Sequence, residues 1–310
     1  MKILAYIGTF NEEISRPLEA LLRQTHALDQ IVIVDNASTH SAPSGPFPAQ
    51  VALIRSRNNL GPSGAITNGL QYGLQNGFDW MWVFDADSAP RHDALEKLVA
   101  LYHSLDAATQ REVGILSCSQ VLAPSERVFN GRRLTVGGPR LPRVSPSRPY
   151  CECDSIIWSG SLFKLDVIRK VGMPRCGATG YWEDFGHDNG DVEFSFRIWQ
   201  AGYRILVHRF SLVDQCVGQS KQITVFGRSL ISTNHPPGRR YLFFRNLVYF
   251  WIYLYPRKNW IGLGMWFSYR FLATILMVLL IEDKPVPKIV ACSRGVWAGL
   301  RKKLYDRYER

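Results

Sequence analysis

The sequence predicts an α/β fold, a mostly parallel central sheet flanked by helices, followed by a C-terminal helical extension. Three observations predict it. Short runs rich in Ile and Val alternate with helical patterns over the first ninety residues. Each run ends in polar residues, as strands of a parallel sheet do where they present ligand-binding loops. From Tyr241 onward the composition changes abruptly to mixed aromatic and basic residues.

The elements follow in order. Lys2 to Ile7 and Gln30 to Val34 read as strands, with a helical pattern through Leu18, Leu21 and Leu22 between them, which makes a β-α-β unit. Val51 to Ile54 is a third strand. A loop with Asn58, Asn59, Gly61, Pro62 and Gly64 follows, then a helix through Ala65, Leu70 and Leu74. Trp80 to Phe84 is a fourth strand, ended by Asp85-Ala86-Asp87. Residues 124 to 150 are rich in Pro, Gly and Arg and read as an exposed loop or irregular hairpin, with a linker as the alternative. Ser155 to Lys164 is strand-like, and Asp191 to Ala201 is helical, with Val192, Phe194, Phe196, Ile198 and Trp199 apolar.

In the C-terminal region the longest charge-free apolar run, Phe271 to Ile281, is about half of the roughly 20 residues that cross a hydrocarbon core, and Arg270 interrupts a longer one. An interfacial helix with aromatic and basic edges on an anionic membrane surface fits this pattern. A buried core helix or a dimer interface are the alternatives.

The 310 residues, 46% hydrophobic and 20% charged, can bury one large or two modest cores, which excludes a disordered or collagenous chain. Lys and Arg number 37 against 26 Asp and Glu, a net charge of +11, so an anionic partner is expected. No helix-turn-helix, RNP or zinc-finger signature is present, which argues against nucleic acid. The six cysteines show no C-x-x-C spacing, and the start Met1-Lys2-Ile3-Leu4 runs into a strand without an export signal, so a cytoplasmic setting is expected.

Asp85 and Asp87, two carboxylates at one strand end, can share a hard divalent cation that bridges a nucleotide diphosphate, or form a solvated acidic turn. Asp35 can accept from a ribose or base edge, with Thr9 and Asn11 nearby. Asn11 and Ser38 suit helix caps equally well. The stretch Asn58 to Ala65 places free N–H groups before a helix, where phosphate is favoured, without being a Walker loop.

Thr9-Phe10-Asn11-Glu12, Val34-Asp35-Asn36-Ala37-Ser38, Asn59-Leu60-Gly61, Asn68-Gly69 and Asp85-Ala86-Asp87 occur in the order and spacing of glycosyltransferase family 2, which the chain resembles. The likeness is to its rhamnosyltransferase and galactofuranosyltransferase branch. It continues through Trp158 to Phe163, Gly190 to Arg197, Ala201 to Tyr203, His235 to Tyr241 and Phe244-Arg245-Asn246, so it covers roughly residues 1 to 250.

The resemblance implies a GT-A fold and a cation-assisted (Mn²⁺ or Mg²⁺), inverting transfer from a nucleotide diphosphate sugar, UDP- or dTDP-linked. It implies donor contacts from Thr9, Asn11, Glu12, Asp35, Asn36, Asn59, Gly61, Asn68, Asp85 and Arg245, and metal contacts from Asp85 and Asp87. Asp191 would be the general base, with Glu193 its nearest competitor and a dipole-stabilised helix end the structural alternative. Trp158, Trp182, Glu183, Asp184 and His187 would shape the acceptor pocket. One departure matters: many relatives carry a His where this chain has Gln215, so the third metal ligand is open, with His208 and His235 as substitutes or as structural histidines. Arg239, Arg240 and Arg245 would bind a diphosphate of the donor or of a polyprenyl-linked acceptor, or simply an anionic membrane.

The expected division is a catalytic domain over residues 1–225, with a nucleotide-sugar half to about 120 and an acceptor half beyond, then an aromatic and basic helical extension over 226–310. The expected enzyme extends a cell-surface glycan, peripherally at the inner face of the cell membrane, with room for a homo-oligomer. A catalytically silent sugar-nucleotide or glycan-binding subunit, supported by Gln215, is the rival. A nucleotidyltransferase is disfavoured, because Thr9 to Glu12 is not a glycine-rich basic loop.

Overall fold

The computed structural model describes residues 1–123, 126–177, 184–216, 221–225, 228–256 and 259–305. In chain order the strands are β1 (Ile3–Thr9), β2 (Gln30–Asp35), β3 (Val51–Arg55), β4 (Trp80–Asp85), β5 (Ser88–Pro90), β6 (Val113–Ala123), β7 (Arg127–Phe129), β8 (Arg133–Thr135), β9 (Gly138–Arg140), β10 (Tyr150–Cys153), β11 (Ser161–Lys164), β12 (Arg204–Cys216), β13 (Lys221–Val225) and β14 (Arg228–Ser232). The helices are α1 (Ser15–Leu22), α2 (Gly61–Gln75), α3 (Ala94–Ser104), α4 (Ala107–Glu112), α5 (Leu165–Val171), α6 (Gly190–Gln200), α7 (Pro237–Tyr249), α8 (Trp260–Ile281) and α9 (Pro285–Leu300). A π-helical turn over Phe250–Leu254 joins α7 to the next segment.

A ten-stranded sheet runs in the order β10-β12-β6-β11-β4-β1-β2-β3, with β5 and β7 added on β12 and β6. Strands β3, β2, β1 and β4 are mutually parallel, and β11 inserts antiparallel between β4 and β6. The parallel strands are buried on both faces, which is why they read as unbroken apolar runs rather than alternating ones. Along β4, Trp82 and Phe84 face one core with Ile3, Ala5 and Ile7, while Met81 and Val83 face the other with Leu4 and Tyr6. Each such fully buried side chain stabilises the fold by about 1.5–3 kcal/mol. The parallel register brings the ends of β1, β2 and β4 together, with Thr9 opposite Asp35 and Gly8 opposite Asp85.

The Pro-, Gly- and Arg-rich stretch is a β8–β9 hairpin that docks on the C-terminal helices rather than standing free. The Tyr255 hydroxyl donates to the Leu134 carbonyl at 3.0 Å and Asn259 N–H to the Val136 carbonyl at 2.9 Å. A third core joins Leu134, Phe185 and Phe196 to Phe244, Phe250, Trp251 and Leu263, so the C-terminal helices share apolar contacts with α6 and the hairpin.

Helix α8 also departs from the sequence expectation. It runs unbroken for 22 residues and is, by length and composition, apolar enough to cross a membrane. Arg270 does not interrupt it because the side chain turns toward the protein, over the Phe243 ring. The opposite face presents Ile261, Met265, Tyr269, Leu272, Leu276 and Leu279 to the outside, at the 3–4 residue spacing of one helical stripe. The inner face, with Leu263, Thr274 and Val278 buried, packs on the protein.

Candidate active site

The loops after β1, β2 and β3 are tied to one another by short polar side chains. Asn11 takes φ 60°, which lets its amide oxygen accept from the backbone N–H groups of Thr39 and His40 at 2.7 and 3.1 Å, while its own N–H donates to the Ser38 hydroxyl at 2.7 Å. Asn36 donates to the Asn59 amide oxygen at 2.9 Å and the Gly61 carbonyl at 3.1 Å, and accepts from Leu60 N–H at 3.1 Å. Asn59 also accepts from Gly61 N–H, at 2.9 Å. The Thr9 hydroxyl donates to the Glu12 carbonyl at 2.8 Å, Asn68 donates to Ser56 at 3.1 Å, and Asp35 accepts from Ser38 N–H at 2.9 Å. The side chains expected to meet a donor are thus first of all the ties that shape the donor loops.

The acidic residues converge at the end of β4. The Ser88 hydroxyl donates to the Asp85 carbonyl at 2.9 Å and is hydrogen-bonded to the Ser159 hydroxyl, which fixes the turn after the strand. Burial, then the nearby charges of Glu12 and Asp191, raise the Asp85 carboxyl to about 6 against the pull of Arg239. Burial, then Asp85 and Glu12, push Asp87 to about 7. Burial again raises Asp191 to about 6, with Asp188 adding to it and Arg132 opposing. Asp85 therefore feels the charge of both Glu12 and Asp191, Asp87 feels Asp85 and Glu12, and Arg239 is a cation that Glu12, Asp85 and Asp87 share.

Helix α6 delivers Asp191. Gly190 opens it at a place with no room for a side chain, since a Cβ would meet the Ser63 hydroxyl at 2.5 Å and the Phe185 carbonyl at 2.9 Å. In the first turn, Asp191 accepts from Val192 N–H at 2.8 Å, where the helix dipole favours an anion. Glu193 lies on another face. It forms a two-pronged pair with Arg197 at 2.9 and 3.0 Å, and Arg197 also holds the carbonyls of Val171 and Met173. Glu193 is thus engaged in a buried pair with Arg197.

Four further expectations need correction or relocation. Arg245 is fully buried, donating to the Asp184 carbonyl at 2.6 Å and the Asn246 side chain at 2.9 Å, so it braces the loop before α6 and does not face a diphosphate. Arg239 reaches the site instead, with its Nε 3.3 Å from Asp188, whose other oxygen lies 3.0 Å from His187. Burial alone would raise the Asp188 carboxyl, but His187, Arg239 and His235 hold it well below the usual range. His208 is not brought to the acids: its Nδ1 accepts from the N–H groups of Phe210 and Ser211 at 3.1 and 3.0 Å in a bulge of β12, facing Lys97 and Asp93. His235 lies by Asp188 and Arg239, and burial followed by the Arg239 charge, against the opposite pull of Asp188, brings it down to about 3, so it stays neutral.

Of the acceptor residues, Asp184 is held by Arg175 at 3.2 Å through both oxygens. Trp158 packs on Phe194 and leaves its indole N–H without a partner. Trp182 and Glu183 lie outside the described residues.

Among the described residues a few buried polar side-chain atoms are left open. Asp87 Oδ1, Gln215 Oε1, Gln120 Oε1 and Trp158 Nε1 are all buried without a hydrogen-bond partner. Gln215 pairs with Ser88 across β12 and β5, which puts both side chains on one face, and Cys216 N–H donates to the Asp87 carbonyl at 3.2 Å. The preceding Asp214 turns the other way and is paired with Arg91 at 3.1 Å. Among the described residues no group of three or more His, Cys, Asp or Glu could hold a metal. Gln215 is an oxygen donor outside those four types.

Residues 5–140 match the family model described as glycosyl transferase family 2. Galactofuranosyltransferase GlfT1 of Mycobacterium tuberculosis is 23% identical over 286 residues, covering 84% of this chain and 90% of that protein. Undecaprenyl-phosphate mannosyltransferase of Micrococcus luteus is 24% identical over 230 residues, covering 71% of this chain and 87% of that one. Among solved structures, GalNAc-T7 with UDP, GalNAc and Mn²⁺ superposes with a TM-score of 0.57 at 13% identity. That alignment covers 80% of this chain, which spans about half of the solved chain (47%), and the likeness is one of GT-A fold.

Proposed function

Since this chain is a glycosyltransferase of family 2, we propose that it moves a hexose such as galactofuranose or rhamnose from a UDP- or dTDP-linked donor to a lipid-linked or cell-surface glycan acceptor, with inversion, at a membrane surface. The observation that carries the reading is the meeting of Asp85, Asp87 and Asp191 at one strand end, with unpartnered oxygens on Asp87 and Gln215 beside them.

The residues present fit a divalent cation. Asp85, Asp87 and Gln215 would hold it through oxygen, the donor type that suits Mg²⁺ and Mn²⁺. Bound there, the cation supplies charge neutralisation for the departing nucleotide diphosphate. Arg239, 40% exposed at its side chain, adds a guanidinium from the opposite side and offers it to the same phosphates. Asp191 is deprotonated above about pH 6 and takes the proton of the acceptor hydroxyl as that oxygen attacks. One carboxylate placed in this way, with Glu193 held by Arg197, gives a single displacement with no glycosyl-enzyme.

The described helices support attachment along the membrane rather than across it. One face of α8 is packed on the catalytic region while the other presents a continuous apolar stripe, which is the pattern of a helix lying in the interface.

Hydrolysis of UDP-, dTDP- and GDP-sugars with Mn²⁺, Mg²⁺ or chelator tests the reaction. One donor class should be consumed only with cation, Asp87→Asn should lose turnover, and Asp191→Asn should lose turnover while still binding donor. Turnover that survives chelation, or Asp191→Asn at wild-type rate with acceptor, would refute the assignment.

A further inference from the structure

Glu282 is a buried carboxylate that the reaction above does not use, and it fastens the C-terminal helices to the start of α7. It directly follows the last turn of α8. Its Oε1 accepts from the Ser232 hydroxyl and from the Arg240 guanidinium. Its Oε2 accepts from Lys288 Nζ at 2.9 Å, in the first turn of α9, and the same Nζ donates to the Asn234 side-chain oxygen at 2.6 Å. The neighbouring Asp283 pairs with Lys221 of β13 at 2.5 Å. One joint, made by Glu282 and Lys288, therefore grips Ser232 and Asn234 before α7 and Arg240 within its first turn.

That grip spans the residues that α7 sends toward the site. His235 and Arg239 lie between Ser232 and Arg240, and Arg239 is the cation that stands 3.3 Å from Asp188 and is offered to the donor phosphates in the reading above. Arg239 and Arg240 are consecutive on the helix, about 100° apart, so one turns to Asp188 while the other turns to Glu282. Arg240, which the sequence groups with the diphosphate-binding cations, is nearly buried and gives its guanidinium to Glu282 instead. Helix α7 makes no side-chain cap of its own, since Pro236 stands at its N-cap, so its first turn is held from outside. A buried carboxylate between two cations adds little net stability over apolar packing, because desolvation offsets the attraction. What this one supplies is register between the end of α8, the start of α9 and the start of α7.

We propose that Glu282 is a positioning residue for the donor phosphates: through Arg240 it sets the first turn of α7 so that Arg239 reaches the nucleotide diphosphate. Helix α8 then braces the site at its last turn while it presents its apolar stripe outward.

The inference rests on the transfer reading above, and one set of measurements separates the two. Binding of UDP and dTDP, and of UMP and dTMP, is followed by calorimetry with Mn²⁺ on the full chain, beside donor hydrolysis. Arg239→Gln removes a charge-assisted contact and should weaken the diphosphates by about tenfold and the monophosphates less. Glu282→Gln should cut the advantage of diphosphate over monophosphate by about threefold or more, with donor KM rising more than kcat falls. In the Arg239→Gln background the same change should alter that advantage by less than about twofold, because the two residues act along one chain of contacts. Melting temperatures establish folding. If Glu282→Gln does not fold, Arg240→Gln cuts the same link while leaving Glu282 paired with Lys288, and it is read in the same way.

A wild-type diphosphate advantage in the folded variant makes Glu282 a brace of the fold alone and overturns the inference. So do equal losses for diphosphate and monophosphate, or a loss of the same size with and without Arg239. Wild-type diphosphate binding by Arg239→Gln also overturns it, and the transfer reading stands if a donor is still hydrolysed with cation. Wild-type protein that neither binds nor hydrolyses any donor sinks the transfer reading and the inference with it.

Discussion

The loops after β1 to β3 and the strip made by β4–β5, the end of β12 and the start of α6 are both polar, yet they use polarity in opposite ways. In the first, Asn11, Asn36 and Asn59 spend their amides on neighbouring backbone and on each other. In the second, Asp87 and Gln215 each keep a buried polar atom open, and Asp85, Asp87 and Asp191 keep raised carboxyls. A buried polar atom without a partner costs about 1–3 kcal/mol, so the two in this strip call for a partner. In the proposed function the first region shapes the pocket and the second acts in it.

The sharpest way to break this comparison is Asp191→Asn. A general base contributes about 10² to 10⁴ in rate, so turnover with acceptor should fall by that much while donor binding stays, as single-turnover kinetics would read. A fall in donor affinity alone would move Asp191 into the first region.

The pH profile comes next. Asp191 acts ionised, so kcat/KM should drop below about pH 6. The same burial works against the fold. The folded carboxyl titrates near 6 and the unfolded one near ~4, so the stability supplied by the bound proton is complete below about pH 4 and is lost as pH rises through 6. Asp191→Asn should therefore melt a few degrees above wild type at pH 8 and level with it at pH 4. Thermal scans at the two pH values decide this.

In the first region the signs reverse. Asn36→Ala removes three hydrogen bonds that join two loops and should lower stability by about 1–3 kcal/mol, seen in chemical denaturation, with donor KM rising more than kcat falls. The smallest effect on rate belongs to Glu193→Gln. It should weaken the pair with Arg197 and lower the melting point, yet leave kcat within a few-fold of wild type. A collapse of kcat with retained stability would restore Glu193 as base.

Much of this was legible in the sequence, and the reasons for the rest are specific. The parallel strands and the acids at their ends were readable because unbroken Ile and Val runs and the terminal Asp85-Ala86-Asp87 are local signals. The choice between Arg239 and Arg245 was not: six residues apart on α7 they lie on different faces, and only the packing of Tyr241 and Phe244 shows which face is inward. His208 was misplaced by a bulge in β12 that turns its ring to α3. Gln215 was visible only as a departure from a pattern, and that its amide oxygen is buried and unpartnered is tertiary information.

The most direct test of the division is Mn²⁺ binding in the presence of UDP or dTDP, followed by the electron paramagnetic resonance of free Mn²⁺, for wild type, Asp87→Asn, Gln215→Ala and Asn36→Ala. Asp87→Asn and Gln215→Ala should each weaken Mn²⁺ by about tenfold or more, while Asn36→Ala binds it like wild type after correction for nucleotide occupancy. Wild-type affinity in Gln215→Ala, or a loss in Asn36→Ala as large as in Asp87→Asn, would contradict the account.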